Sequence, residues 1–451
     1  MILSLYSLAM WLAQPLLRRK LRRRAQVEPG YGVAVEERFG YYHSTGANAA
    51  LLPMEGSVGR SDTVTVWLHA VSLGETRAAA VLVERLRAAI PGMRLLLTHG
   101  TATGREAGRA LLKAGDVQVW QPWDTPGAVA RFLAQFQPRI GLLMETEVWP
   151  NMVAACARAG VPLCLVNARL SDKSLQQSLR LAWLARPAFG SLRAVWAQTE
   201  EDAVRLRALG APVLAITGNL KFDATPNAAL LAQGRAWRAR VQRPVVMFAS
   251  SREGEEVLWI DALKAQMARH AVGEDMQGAV QWLIVPRHPQ RFDEVAALLS
   301  SAGFAVSRRS AWSDAPPALD AENTHAPVVW LGDSLGEMAL YFGMADAALL
   351  GGSFAKLGGQ NLIESAACAC PVIMGPHTFN FADAAHMARE AGAALEVADM
   401  AHAVDAATAL VSSPEDLQNT RTAALQWSQA HRGAADRTVQ AVLALMAPAA
   451  R

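Results

Sequence analysis

Carboxylates follow two apolar segments in the first half of the chain. Glu75 ends the motif HAVSLGE (69–75), and Glu145 and Glu147 begin the motif ETEVWPN (145–151). A carboxylate in a cleft can take a proton from a hydroxyl group and so act as a general base. Spacing alone leaves an equal alternative, in which Glu75 is an ordinary acidic residue at a helix amino end, stabilised by the helix dipole.

Cationic side chains follow two apolar segments in the second half of the chain. Arg252 lies at a predicted helix start, where Ser250 and Glu253 have the spacing of a capping box. Arg287 and His288 belong to the motif PRHP (286–289). A helix amino end with nearby cations favours a bound anion such as a phosphate. Arg252 alone would more simply be a solvated cation.

Glycine pairs occur in the same half of the chain, in GGS (351–353) and LGGQN (357–361). Glycine lets backbone N–H groups approach a phosphate closely, although such pairs most often form simple turns. Glu364, one helical turn past Asn361, could accept hydrogen bonds from ribose hydroxyls, or could be an ordinary helix carboxylate. Neither a P-loop nor a G-x-G-x-x-G motif is present in the sequence, which disfavours ATPase and dinucleotide-binding classes.

Metal and disulfide sites are not indicated by the sequence. The four cysteines form no C-x-x-C pair, and His69, His99 and His288 lie far apart in the chain. Neither pattern has the spacing of a zinc site or a disulfide framework. We therefore expect no metal and a reducing compartment.

Apolar segments alternate with amphipathic ones from residue 64 onward, which predicts parallel β-sheets with helical crossovers. At 451 residues the chain exceeds what one core usually serves, so two α/β domains facing a cleft are expected. We predict a membrane segment at 1–24, a first domain at 25–225, a linker at 226–243 and a second domain at 244–451. Predicted strands cover residues 64–70, 94–100, 117–123, 140–147, 162–168, 194–200 and 213–219, then 244–250, 282–289, 305–309, 327–333, 347–353, 371–375 and 394–397.

The amino terminus pairs an apolar segment, MILSLYSLAMWLAQPLL (1–17), with the basic cluster RRKLRRR (18–24). This order is the reverse of a secretory signal and favours attachment to the cytoplasmic face of a membrane. The helix could span the membrane, lie in its interface, or be a core helix of the first domain. Without the cluster the chain has 37 basic and 40 acidic residues, which disfavours a nucleic-acid partner.

Long motifs in one order extend over the whole chain: QPL near the amino terminus, ERFGYY (37–42), HAVSLGE (69–75), ETEVWPN (145–151), NARLSDKS (167–174), GNLKFD (218–223), PRHP (286–289), GDSLGEM (332–338), GGQNLIE (358–364) and GPHTFNF (375–381). Together they resemble the 3-deoxy-D-manno-octulosonate (Kdo) transferases of lipopolysaccharide assembly. The resemblance implies a metal-independent GT-B glycosyltransferase without a cofactor, which transfers Kdo with inversion from CMP-Kdo to a lipid A precursor at the inner membrane.

The resemblance also implies roles for residues at matching positions. Glu75 corresponds to the proton acceptor, and Glu145 and Lys221 to residues that stabilise the transition state. The residues that match the family's CMP-binding segments are Pro286, Arg287, Leu335, Gly336, Glu337, Asn361, Leu362, Ile363 and Glu364. We add Arg252 and His288 to the predicted donor site because of the cation pattern described above.

The sequence departs from the family pattern at several positions. Arg252 and Gln360 stand where histidine is frequent, and Leu362 stands where proline is common. THGTATG (98–104) departs from the pattern in the acceptor domain. The alternatives are another GT-B transferase, which uses a different nucleotide sugar on a lipid, and a non-catalytic sugar-nucleotide-binding protein.

Overall fold

The computed structural model describes residues 2–42, 64–270, 280–313, 315–317 and 326–447. The chain divides into two compact units. Unit 1 comprises Met1–Asp223 with Arg432–Arg451, and unit 2 comprises Ala224–His431.

Unit 1 is built on a sheet of seven parallel strands in the order β3-β2-β1-β4-β5-β6-β7. Its central strands are apolar and buried on both faces, which is typical of parallel sheets covered by helices. The strands are β1 (Thr65–His69), β2 (Arg94–His99), β3 (Val117–Trp120), β4 (Ile140–Met144), β5 (Leu163–Ala168), β6 (Ala194–Ala197) and β7 (Val213–Ile216). The helices are α1 (Ile2–Leu12), α2 (Gln14–Val27), α3 (Leu73–Ala89), α4 (Ala102–Gly108), α5 (Pro126–Phe136), α6 (Pro150–Arg158), α7 (Asp172–Arg180), α8 (Ala182–Gly190) and α9 (Glu200–Ala208).

Unit 2 has a second sheet of seven parallel strands, in the order β10-β11-β9-β8-β12-β13-β14. Its strands are β8 (Val245–Ser251), β9 (Gln281–Pro286), β10 (Ala305–Arg308), β11 (Val328–Leu331), β12 (Ala347–Leu350), β13 (Val372–Met374) and β14 (Ala394–Glu396). Its helices are α10 (Ala228–Arg238), α11 (Glu255–His270), α12 (Phe292–Ser301), α13 (Met338–Met344), α14 (Leu362–Ala367), α15 (Ala382–Glu390), α16 (Met400–Ser412) and α17 (Pro414–Ala430); α18 (Ala434–Met446) belongs to unit 1.

The strand order of each sheet indicates where a ligand would bind. The chain reverses its direction across the sheet between β1 and β4 in unit 1, and between β8 and β12 in unit 2. Ligands of open parallel sheets bind at the carboxyl ends of the strands beside such a switch point. Each of the fourteen predicted strands is found, and the predicted fold class of two parallel-sheet α/β domains is confirmed.

The unit boundaries differ from the predicted domain boundaries at both ends of the second domain. Helix α10 occupies the predicted linker and packs on α13, where Gly234 lies against the carbonyl of Leu340. Helix α18 returns to unit 1, because Val439 and Val442 are buried in the first core. Asp223 fixes this return by accepting hydrogen bonds from the backbone N–H groups of Gly433 and Ala435, each at 2.5 Å.

The amino terminus forms two consecutive helices, α1 and α2, separated only by Ala13. The Tyr6 hydroxyl is hydrogen-bonded to Asp124, and Ser7 Oγ lies 2.7 Å from Asn151 Oδ1. These contacts hold one face of α1 on the body of unit 1. In the described part of the chain, no helix combines the length and the apolar character that crossing a membrane requires.

Candidate active site

Glu75 lies in the first turn of α3, directly after β1 and beside the switch point of unit 1. Its carboxylate accepts hydrogen bonds from the N–H of Val71 at 2.8 Å and from Ser72 Oγ at 2.9 Å. Ser72 is the helix cap and accepts in return from the N–H of Glu75. The alternative of an ordinary carboxylate at a helix start is therefore partly correct, because Glu75 and the cap residue Ser72 are hydrogen-bonded to each other in a variant of the capping box.

The electrostatic environment of Glu75 differs from that of an ordinary helix cap. Its pKa is raised from 4.5 to about 7, chiefly by burial and also by the charges of Glu145 and Glu147, while the hydrogen bonds it accepts from Val71 and Ser72 act in the opposite direction. A carboxyl group that titrates near neutral pH holds and releases a proton easily, as a general base must. The structure thus brings together the three carboxylates that the sequence singled out.

Glu145 follows β4 in a left-handed backbone conformation, with φ of 60°. Its carboxylate lies 3.5 Å from Lys221 Nζ and 4.0 Å from a guanidinium nitrogen of Arg169. A non-glycine residue persists in such a conformation only where its surroundings enforce it, which is common at functional sites. Glu145 and Lys221 therefore lie at one site, as predicted, and Arg169 joins them.

Asn167 is a buried residue of this site to which the sequence alone assigned no role. It also has a left-handed backbone, with φ of 51°, and its side-chain oxygen accepts from the N–H of Leu220 at 3.0 Å. This hydrogen bond fixes the short helical turn that carries Lys221. Both Asn167 and Arg169 could have been selected from the sequence, because they lie in NARLSDKS (167–174), one of the motifs that carry the family resemblance.

The predicted cations of unit 2 lie together after β8 and β9. Arg287 Nε donates to Gln360 Oε1 at 3.1 Å, and the N–H of Arg287 donates to the carbonyl of Ser251 at 3.0 Å. Burial lowers the pKa of His288, and the charges of Arg252 and Arg287 lower it further. Pro286 ends β9 and directs the chain into this cluster. The two guanidinium groups form a concentration of positive charge that suits a phosphate, and the neutral His288 side chain beside them can donate a hydrogen bond.

The start of α11 differs from the predicted capping box. The helix begins at Glu255, Glu253 is exposed, and it is the Glu255 carboxylate that accepts from the N–H of Arg252 at 3.0 Å. Ser250 instead adopts a left-handed backbone, with φ of 56°, at a β-bulge between β8 and β9. The capping-box prediction was therefore wrong, since the chain turns once more before the helix.

The glycine turn after β12 also differs from the prediction. The N–H groups of Gly352, Phe354 and Ala355 all donate to the Glu255 carboxylate, at 2.7, 3.0 and 3.2 Å. The Glu255 side chain thus occupies the N–H of Gly352, which belongs to the predicted motif GGS (351–353), and two amides that follow this motif. These three amides are therefore not available to a phosphate.

The remaining predicted donor residues lie in two loops of unit 2. Asn361 caps α14 by accepting from the N–H of Ile363 at 3.1 Å, and Glu364 lies in the first turn of the same helix. The side chains of Leu362 and Ile363 are buried in the protein interior, so only their backbone could face a ligand.

The second loop carries the residues predicted from GDSLGEM (332–338). Gly336 forms a turn with φ of 81°, which favours glycine, and the Leu335 side chain is exposed. Glu337 is paired with Arg309 at 3.0 Å and accepts a hydrogen bond from Ser334. Within the residues that the structure describes, no three His, Cys, Asp or Glu side chains are grouped as metal ligands would be.

Comparison with known proteins decides the family. A family model described as 3-deoxy-D-manno-octulosonic-acid transferase (kdotransferase) matches residues 34–224. A 3-deoxy-D-manno-octulosonic acid transferase of Bordetella pertussis is 50% identical over 383 residues, which cover 84% of this chain and 86% of that protein. The chain belongs to the Kdo transferase family. A second member, from Haemophilus influenzae, is 33% identical over 96% of each chain.

Solved structures agree with the fold of this Kdo transferase. UDP-GlcNAc 2-epimerase from Neisseria meningitidis has a TM-score of 0.55 at 15% identity, covering 84% of this chain and 100% of that one. A glycosyltransferase from Rickettsia africae has a TM-score of 0.53 at 11% identity, covering 85% of this chain and 98% of that one. The predicted GT-B fold and the predicted family are both confirmed.

Proposed function

We propose that this Kdo transferase transfers Kdo from CMP-Kdo to a lipid A precursor. The observation that carries the proposal is Glu75, a carboxyl group with a pKa of about 7 beside the switch point of unit 1. Membership of the Kdo transferase family supports the identity of the sugar. Lipopolysaccharide assembly is the process to which this reaction contributes.

The bond-making step assigns a role to each charged residue of unit 1. Glu75 takes the proton of the acceptor hydroxyl while the oxygen of that hydroxyl attacks the anomeric carbon of Kdo. The bond between this carbon and the phosphate oxygen of CMP breaks, and the anomeric configuration is inverted. Positive charge develops on the sugar in such a transition state. Glu145 stabilises that charge, while Lys221 and Arg169 hold the Glu145 side chain in place.

The departure of CMP assigns a role to the basic residues that follow β8 and β9 in unit 2. The phosphate gains negative charge when its bond to Kdo breaks, and Arg252, Arg287 and His288 stabilise it there. Asn361 and Glu364 hold the ribose. Because guanidinium groups supply this charge, transfer proceeds without a metal ion, and full activity in excess EDTA is expected. An EDTA-sensitive rate that Mg²⁺ restores would refute this part of the proposal.

The nucleotide specificity separates this proposal from transfer of a UDP-activated sugar. CMP should raise the midpoint of thermal unfolding by several degrees, and UDP at the same concentration should raise it less, since a ligand stabilises according to its affinity. An Arg389→Ala variant, altered at an exposed residue of α15, is the matched control and should respond as wild type does. Stronger protection by UDP would favour the alternative transferase.

The proposal includes attachment to the cytoplasmic face of the inner membrane through α1 and α2, which lie in the membrane interface. While one face of α1 is held on unit 1, the opposite face is exposed and apolar. The exposed fraction exceeds one half for Leu5, Leu8, Trp11 and Leu12 of α1 and for Leu16 of α2. Basic side chains of α2 continue this surface. A shallow groove on this helix is lined by Arg19, Lys20 and Arg23, among others. An apolar face followed by cations is typical of helices that lie in an anionic interface.

The neighbouring helix α8 extends the apolar surface. It packs against α1, and its residue Trp183 and the preceding Leu181 are about half exposed. Tryptophan is enriched at the headgroup level of membranes. A Kdo transferase held in this way would meet an acceptor whose acyl chains stay in the bilayer.

A flotation assay with vesicles containing phosphatidylglycerol tests the membrane proposal. The double variant Leu8→Glu/Trp11→Glu should lower the bound fraction at least about tenfold, because each charge prevents burial of a large apolar side chain. Leu214→Glu, on the exposed edge strand β7, is the matched control and should bind as wild type does. Unchanged binding of the double variant would refute attachment through α1.

A further inference from the structure

We infer that Glu255 is a positioning residue of the donor site, an inference that rests on the proposed function. Its carboxylate is fully buried and accepts four backbone hydrogen bonds from two loops. One loop carries Arg252, and the other leads to Gln360, the partner of Arg287. Glu255 therefore takes the place of an anion inside the protein and holds the groups that bind the external one.

The geometry around Glu255 requires a carboxylate. Oε2 accepts from the N–H groups of Arg252 and Gly352, and Oε1 accepts from those of Phe354 and Ala355. Both oxygens thus face two donors each. A glutamine would present an NH₂ group to one pair of donors, so two hydrogen bonds would be lost and donors would face each other. The α11 dipole favours a negative charge here as well.

A continuous series of contacts connects Glu255 to the phosphate-binding side chains. The carbonyl of Gly352, whose N–H is bound by Glu255, accepts from the N–H of Gly359 at 2.7 Å. Gln360 follows Gly359 and accepts from Arg287 Nε at 3.1 Å. A Cβ added at Gly352 would lie 3.2 Å from Gln360 Nε2, so this turn and the Gln360 side chain are in close contact.

This series of contacts gives the amides of the glycine turn a structural role inside the protein. Three amides of this turn, those of Gly352, Phe354 and Ala355, donate to Glu255, and the turn is thereby fixed in one conformation. Its fixed conformation sets the position of Gln360, and the direct contact with the Arg252 N–H sets the loop after β8. Loss of the carboxylate would therefore loosen both guanidinium groups while leaving their charges intact.

The ratio of cytidine to CMP dissociation constants, measured by calorimetry, tests this role because it isolates the contribution of the phosphate. Glu255→Gln should lower this ratio about tenfold, the effect of weakening a charge-assisted hydrogen bond. A general folding defect would instead reduce the binding stoichiometry and leave the ratio unchanged. Glu255→Asp retains the charge with a shorter reach and should give an intermediate ratio.

Glu256→Gln is the matched control, since Glu256 is the adjacent buried carboxylate and contacts Ser251 Oγ and Arg291 instead. Its ratio should equal that of wild type. An unchanged ratio in folded Glu255→Gln, or in Glu255→Asp if the first variant fails to fold, would overturn the role of Glu255. Wild type that binds no CMP would instead refute the proposed donor.

Discussion

Replacement of Glu75 by glutamine should abolish transfer and at the same time stabilise the protein at alkaline pH. Glutamine keeps the size of the side chain and one acceptor for the Val71 N–H, so the cap of α3 should persist. Loss of a general base typically lowers the rate 10²- to 10⁴-fold. CMP binding should stay near that of wild type, because the phosphate-binding residues Arg252, Arg287 and His288 belong to unit 2.

The size of the stability effect follows from the pKa of Glu75. Burial raises that pKa from 4.5 to about 7, so ionisation is roughly 300-fold less favourable in the folded chain. Each tenfold change corresponds to about 1.4 kcal/mol, which gives about 3 kcal/mol at most. The penalty is absent below pH 4.5, where the carboxyl is neutral in both states, grows as pH rises, and is complete above pH 7.

Thermal unfolding of wild type and Glu75→Gln at several pH values measures this effect. The two midpoints should nearly coincide at pH 5, and the variant should be higher by about 5–10 °C at pH 8.5. The kcat/KM of wild type should rise with pH through about 7, as Glu75 loses its proton. A constant difference in midpoint across pH, or transfer within a few-fold of wild type, would refute a buried general base at position 75.

Three further substitutions have defined outcomes. Arg287→Ala should raise the CMP dissociation constant about ten- to a hundredfold, since a charge-assisted contact to phosphate is lost. The control Arg389→Ala should leave the constant unchanged. An unchanged constant in Arg287→Ala would show that the phosphate binds elsewhere. Lys221→Ala should lower kcat at least tenfold with little change in CMP affinity, because Glu145 loses its closest cation, and single-turnover rates check this. Asp223→Ala should lower the free energy of unfolding of unit 1 by about 1–3 kcal/mol and expose α18 to proteolysis, because the backbone N–H groups of Gly433 and Ala435 at the start of that helix lose their acceptor.

The sheet architecture could be predicted from the sequence because parallel strands are buried on both faces. Segments such as Ile140–Met144 are apolar without interruption, and polar residues begin where the strand ends. The carboxyl ends of such strands also identified Glu75 and Glu145 as neighbours at one edge.

The domain boundaries and the glycine turn could not be predicted in the same way. The return of α18 to unit 1 depends on Asp223 binding amides more than two hundred residues later, and no local pattern encodes such a contact. Glycine pairs showed where backbone amides would be accessible, but the sequence does not say which anion they bind. Here that anion is Glu255, a residue of the protein itself.

Incubation of the purified enzyme with CMP-Kdo and a tetraacylated lipid A precursor, with products analysed by mass spectrometry, tests the central claim most directly. We expect the acceptor to gain the mass of at least one Kdo residue while CMP appears in equal amount, and we expect Glu75→Gln to give neither product. An acceptor that remains unmodified with CMP-Kdo but gains a sugar from a UDP-activated donor would contradict the proposed function.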